Sequence, residues 1–242
     1  MGSEPETSRR DRSHARIVDV AAKLVRERGL EGAGVDRVMG AAGLTRGGFY
    51  AHFADKAAML VEALDAAFAQ SRRNMFDTEA TGLDWLERTT RIYLSRSHAE
   101  SVEDGCSVPA LASEVRRSPE EVRGAFARNV ERVLEEIAAR LGGGRPTDAT
   151  RREAIGIFAG WVGALALARA MGGARGDEVL IAARDHVLAA ARAARGDHVE
   201  RKGPSARGAR VKSSAAVSPR TRTSASSGSP AASKARSSRS QA

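Results

Sequence analysis

Gly34-Val35-Asp36-Arg37-Val38-Met39-Gly40-Ala41-Ala42-Gly43-Leu44-Thr45-Arg46-Gly47-Gly48-Phe49-Tyr50-Ala51-His52-Phe53 is the stretch on which the reading of this chain turns. Val35, Val38 and Met39 give a short helix an inward face, and Gly43 falls where the chain must turn sharply with a positive φ. Thr45 stands where it can cap a second short helix, and Leu44, Phe49 and Phe53 supply the apolar contacts that lock the two helices together.

Two short helices fixed across a glycine turn form a helix-turn-helix. Gly47 and Gly48 each weaken an isolated helix by roughly 1 kcal/mol relative to alanine, so their presence asks for a reason. Close approach to a DNA backbone is one; a merely poor helix is the other.

Outward from this stretch the pattern stays helical. Ile17, Ala21, Leu24 and Val25 repeat on one face, and Gly29 stops that helix. From Leu83 to Arg195 the helical stretches lengthen, with no alternating apolar pattern from which a sheet could be built. The class read from the sequence is all-α.

Ser118-Pro119-Glu120-Glu121 reads as an N-cap serine, a proline at the first helical position and a capping-box glutamate. Val122, Phe126, Val130, Val133, Ile137 and Leu141 then line one face until Gly142-Gly143-Gly144. After Pro146-Thr147 a helix to about Met171 is apolar nearly all round, which predicts cover on most sides. A last helix is expected from about Asp177 to Ala194. Beyond Gly196 the chain is Ser, Ala, Arg, Gly and Pro with almost no large apolar group, which predicts a disordered tail.

The expected organisation is therefore a loose start over 1–10, a helix-turn-helix unit over 11–70, a helical body over 71–196 and a basic tail over 197–242. The charge follows it. Residues 197–242 hold ten Lys or Arg against two acids, and residues 9–60 hold ten against six, whereas residues 61–196 are nearly balanced. A phosphate-binding surface is expected at the two ends rather than in the body.

Several function classes find no support. The single cysteine, Cys106, cannot close an intramolecular disulfide, and no charged-then-apolar leader opens the chain, so a reducing cytoplasm is expected. The run Ala154 to Ala168, interrupted by Gly156, Gly160 and Gly163, falls short of the roughly 18 residues that cross a bilayer, so no membrane is expected. His14, His98, His186 and His198 lack ligand spacing and no cysteine cluster accompanies them, so neither a metal site nor a cofactor is expected. Nucleophile elbows, phosphate-cradling glycine loops and metal-binding helix motifs are all missing, which argues against an enzyme.

Gly43-Leu44-Thr45-Arg46-Gly47-Gly48-Phe49-Tyr50-Ala51-His52-Phe53-Ala54-Asp55-Lys56 resembles the recognition-helix signature of TetR-family transcriptional regulators, with Tyr50, His52, Phe53 and Lys56 on its fixed positions. The close resemblance covers roughly residues 13 to 60. It weakens downstream but persists, because Gly105-Cys106-Ser107-Val108-Pro109-Ala110-Leu111-Ala112-Ser113-Glu114 followed by Ser118-Pro119 is similar to the C-terminal domain of one branch of that family. Gly34 and Gly48 stand where many members carry a hydroxyl residue, which implies fewer side-chain and more backbone contacts to DNA.

The resemblance implies nine helices: three that read DNA, a fourth that links, and a body that binds a ligand and dimerises through helices 8 and 9. It implies a repressor that holds an inverted-repeat double-stranded DNA operator and is released by a small-molecule effector. On that reading Arg37, Thr45, Arg46, Gly47, Gly48, Tyr50, His52 and Lys56 form the DNA-binding set. Arg46 is placed to donate to guanine O6 and N7, while Tyr50, His52 and Lys56 hold phosphates. Trp85, Tyr93, Phe126, Phe158 and Trp161 are the candidates to line the site of an apolar or aromatic effector, although core packing explains any one of them. A nonspecific DNA-coating protein is the rival, motivated by the basic tail; it should bind all duplexes alike.

Overall fold

The structure, a computed structural model, describes residues 8–201, with side chains described to residue 194. Every regular element among the described residues is helical: nine α-helices and one 3-10 helix. The expected all-α class therefore holds. Residues 9–10 of the expected loose start and residues 197–201 of the expected tail are helical instead, and residues 1–7 and 202–242 lie outside the described residues.

α1 (Arg9–Gly32) opens with a capping box in which Ser8 and Asp11 satisfy each other's backbone N–H. Ile17, Ala21 and Val25 are wholly buried along its inner face. Gly29 does not end the helix outright: it takes φ 74°, kinks the chain, and lets one further turn follow to Gly32.

α2 (Val35–Ala41) buries Val38 and Met39, and Gly43 makes the turn with φ 68° as its position required. The next piece departs from expectation. Arg46–Ala51 is a 3-10 helix, η1, and Thr45 at its N-cap is extended but makes no side-chain cap. Two adjacent glycines lower the helix propensity of a six-residue segment, and the tighter 3-10 turn is common in such short pieces.

α3 (Lys56–Phe76) starts where Asp55 Oδ1 accepts the N–H of Ala58 at 2.8 Å. It packs on α1 at one end and on α7 (Glu120–Leu141) at the other. Arg72 pairs with Glu136 at 2.6 Å, and Arg140 donates to the Phe76 carbonyl at 3.1 Å, which satisfies the C-terminal end of α3.

The body comprises α4 (Gly82–Tyr93), the short α5 (Arg96–Glu100), α6 (Val108–Val115), α7, α8 (Asp148–Met171) and α9 (Gly173–Arg201). α7 begins at Glu120 with Pro119, not Ser118, at its N-cap, so the expected serine cap and capping box do not form. α8 opens on a capping box of Thr147 and Thr150, and α9 starts four residues earlier than expected and runs past Ala194.

α8 corrects two readings. An 18-residue window of it reaches a mean hydropathy of 1.6, so by length and composition alone it is a helix that could cross a membrane. The glycines that shorten the apolar run do not lower hydropathy enough to disqualify it. Nor is it covered on most sides: 39% of that window is buried, against α7, α9 and α6, while Ile155, Leu167 and Met171 stand exposed.

Candidate nucleic-acid interface

The helix-turn-helix is held from below by rings. Phe49 and Phe53 are buried, stack on each other at 5.5 Å, and Phe53 stacks on His14 of α1 at 4.7 Å. His14 Nε2 in turn contacts Glu62 of α3 at 2.7 Å, so α1, η1 and α3 meet at one joint. Arg10 closes it by donating to the Ala51 carbonyl at 2.7 Å.

Above this joint Thr45, Arg46, Gly47 and Tyr50 lie together on the surface, with Tyr50 at 73% exposure. A Cβ built on Gly47 meets nothing within 4 Å, and one on Gly48 meets only ordinary contacts, the Met39 methyl at 3.8 Å and the Thr45 hydroxyl at 3.9 Å. Neither has a positive φ. Nothing among the described residues therefore demands glycine at 47 or 48.

Arg46 is not idle: Nη1 pairs with Asp36 Oδ2 of α2 at 2.8 Å, both side chains being mostly exposed. Arg37 donates to the Gly32 carbonyl at 2.7 Å. Partial burial, then the charges of His14 and Arg10, lower the pKa of His52, and its Nδ1 is buried without a partner. Lys56 is half-buried and lines a crevice with Leu30, Glu31, Glu114 and Arg117.

Residues 17–63 match the model of the bacterial regulatory proteins of the tetR family. The transcriptional regulator AcuR of Cereibacter sphaeroides is 27% identical over 170 residues, covering 65% of this chain and 76% of that protein. A TetR transcriptional regulator from Chloroflexus aurantiacus superposes with a TM-score of 0.63 at 25% identity, over 74% of this chain and 94% of its own. These likenesses support a TetR-family regulator. The reduced form of E. coli NemR has the same fold at 22% identity, with a TM-score of 0.62 over 73% of this chain and 95% of its own. Together they support a DNA-binding transcriptional regulator. Proteins of this family bind operator DNA as dimers, respond to small molecules and are generally not enzymes.

The regulator's body holds the five candidate aromatics in different settings. Trp85, Tyr93 and Trp161 form one cluster: Tyr93 stacks on Trp161 at 5.1 Å and 22°, and Trp85 tilts against Trp161 at 6.3 Å. All three are wholly buried. Phe126 is half-buried and meets Phe68 edge-on at 5.7 Å, away from this cluster, and Phe158 is buried on α8.

A cavity of about 200 Å³ lies beside the cluster, lined by Ser71, Asn74, Met75, Ile92, His98 and Cys106 among others. None of the five aromatics lines it. His98 separates the two: its ring meets Tyr93 edge-on at 4.8 Å, Nδ1 contacts the Tyr93 carbonyl at 2.7 Å, and Nε2 accepts the N–H of Cys106 at 3.0 Å. That pairing needs a neutral ring with its proton on Nδ1. Burial, together with the nearby Arg169 charge, lowers the pKa of His98 accordingly. Burial raises that of the Cys106 thiol, which is the behaviour of a packed thiol rather than of a nucleophile.

Three important groups escaped sequence reading. Arg26, 1% exposed, donates to the Ala67 carbonyl, to Gln70 and to the Glu103 carbonyl, tying α1 to α3 and to the loop before α6. Arg169 donates to the carbonyls of His98 and Ala99. Glu114 reaches α1. The only sequence signal for the arginines is a charge set within an apolar helical face, and Glu114 has none.

Proposed function

We propose that this regulator is a repressor that holds an inverted-repeat operator through Thr45, Arg46, Gly47, Gly48 and Tyr50, with Arg37, His52 and Lys56 against the flanking phosphates, and releases it when a small molecule enters the body. The observation that carries the reading is the exposed surface of η1. Two glycines without an internal reason stand beside an arginine and a tyrosine, on a rigid base of buried rings. A backbone bare of side chains lets a phosphate or groove wall approach closely.

The proposed organisation is a DNA-reading unit over 11–70 and an effector and dimerisation body over 71–196, in a cytoplasmic protein. Dimerisation is assigned to α8 and α9. Four of the exposed large apolar side chains, Ile155, Leu167, Met171 and Ile181, lie on these two helices, and a groove beside them is lined by Gly156, Ile157, Val187 and Ala190. A second copy placed two-fold would cover this surface and pair α8 and α9 into a four-helix interface.

The effector signal has a short route. Cys106 and Ser107 lie directly before α6, and the far end of α6 carries Glu114, which bonds the backbone of α1 beside its kink. A ligand that displaces α6 therefore moves the helix on which the DNA-reading unit is built. Such a ligand must bind the DNA-free form better, or it shifts nothing.

Selection from a random duplex pool tests the function. The expected result is one inverted repeat, its halves about one helical turn or a multiple of it apart, preferred over bulk DNA by roughly a thousandfold or more. Indifference to sequence would leave the nonspecific DNA-coating reading.

A further inference from the structure

η1 has little of its own to hold it at a fixed angle. It is six residues long, contains two glycines, lacks a side-chain cap and buries Phe49 alone. Phe53, four residues on, adds a second buried ring just past its end. The angle at which Arg46 and Tyr50 are presented must therefore be set by the elements packed beneath.

α1 does this with two residues one turn apart. Arg10 donates to the carbonyl of Ala51, the last residue of η1, at 2.7 Å. His14 lays its ring on Phe53, with centroids 4.7 Å apart and planes 27° from parallel. A stacked ring can still slip or turn about its own normal. The contact of His14 Nε2 with Glu62 Oε2 of α3, at 2.7 Å, removes that freedom. A carboxylate only accepts, so Nε2 is the donor, and the ring is fixed in tautomer as well as in rotation.

His52, the residue proposed to hold a phosphate, depends on the same ring. Its Nδ1 is buried without a partner, so at that edge only ring contacts hold it, with His14 at 5.8 Å and Phe53 at 6.4 Å. The His14–Glu62 contact itself joins side chains that are 32% and 46% exposed, and such pairs contribute little to stability. Its place, between α1 and α3 and against the end of η1, gives it a different use.

We infer that His14, oriented by Glu62, is a positioning residue for operator binding: it sets the angle of η1 in the groove, acting through Phe53 and His52 rather than on DNA. This rests on the operator reading above and adds two residues outside its DNA-contacting set. Positioning and phosphate contact leave different traces. Loss of a phosphate contact weakens every duplex alike, whereas a tilt of η1 costs most where base edges are read.

The preference of the full chain for its selected operator over bulk duplex, read by fluorescence anisotropy with thermal unfolding alongside, tests this. His14→Phe keeps a ring on Phe53 and drops the bond, and Glu62→Ala drops the same bond from a position outside the core. Each should lower the preference roughly fivefold and the double variant no further, because both remove one interaction. Glu62→Gln, which still offers an oxygen to His14 Nε2, should keep most of it. Unfolding temperatures should stay close to that of the wild type throughout.

A preference unchanged in His14→Phe and Glu62→Ala, or losses that add in the double variant, would overturn the inference. So would a uniform loss on all duplexes, which would make His14 a phosphate contact. If His14→Phe fails to fold, the loss in Glu62→Ala and its recovery in Glu62→Gln decide the matter alone. A wild type without preference would contradict the operator reading and this inference with it, whereas a preference shared equally by wild type and variants contradicts only the role of His14.

Discussion

Glu114 Oε2 accepts the backbone N–H of Leu30 at 2.8 Å, bridging 84 residues of sequence. The bond falls one residue after Gly29, whose φ of 74° turns the Leu30 N–H out of the helical ladder and toward α6. A Cβ at Gly29 would lie 2.1 Å from the Glu114 carboxylate, so the glycine also makes room for its partner. The kink in α1 and the acid on α6 are two halves of one contact between these helices.

Removing the acid should therefore do more than weaken the fold. Glu114→Ala leaves the Leu30 N–H without its acceptor, a loss of roughly 1 to 3 kcal/mol, whereas Glu114→Gln retains an acceptor oxygen and should lose much less. If α6 carries the effector signal, Glu114→Ala should also keep operator bound at effector concentrations that release the wild type. Thermal unfolding and effector titration of operator complexes check the two effects, and release unchanged in Glu114→Ala would remove this contact from the route.

Gly47 separates stability from DNA binding. Its Cβ position is open and its φ ordinary, so Gly47→Ala should leave the fold intact or raise stability by up to about 1 kcal/mol. Operator affinity should nevertheless fall, because the methyl group occupies the space into which DNA backbone must come. A variant that is both more stable and as tight on DNA would mean that the glycine has no part in docking.

Acid should destabilise the protein through His98. The folded pKa lies below the ordinary imidazole value of 6.5, so between the two values the unfolded chain holds more protons than the folded one. The stabilisation from the neutral ring is complete above about 6.5 and is lost as pH falls through that value toward the folded pKa. His52, also lowered, acts in the same direction. Unfolding temperatures at pH 7.5 and 5.5 should differ more for the wild type than for His98→Gln, whose amide still donates and accepts but does not titrate. Equal differences would assign the acid sensitivity elsewhere.

The dimer reading makes a separate demand on α8. A Cβ at Gly160 would meet Val187 of α9 at 3.6 Å, an ordinary contact that alanine would keep and that a longer side chain would exceed. Gly160→Leu should push α8 and α9 apart and weaken self-association, as read by sedimentation equilibrium. Unaltered dimerisation together with unaltered operator binding would exclude glycine packing from the interface.

What could be read from the sequence was what is local. Gly43 fell in its place because a positive φ at a turn has a short-range signature. Competing local terms were harder: at Arg46–Ala51 glycine propensity turned an expected helix into a 3-10 helix, and at Ser118-Pro119 two capping grammars overlapped and the proline took the cap. The bare face of α8 was illegible because an apolar helix carries the same residues whether its cover comes from its own chain or from another. The partnerships of Arg26, Arg169 and Glu114 span 41 to 84 residues and leave no periodic trace. For the aromatics, composition placed Trp85, Tyr93 and Trp161 in the body but not their clustering.

The central claim is that η1 reads DNA sequence, and one set of binding curves tests it most directly. Wild type, His52→Ala and Arg46→Ala are titrated against the selected operator and against single-base variants of it. His52→Ala should weaken binding to every duplex by a similar factor, because phosphate contacts position without specifying. Arg46→Ala, which also releases Asp36, should lose roughly 1 to 3 kcal/mol at one base pair of each half-site and relax the preference there alone. Three proteins that bind alike, or a wild type that prefers no sequence over bulk DNA, would contradict the account.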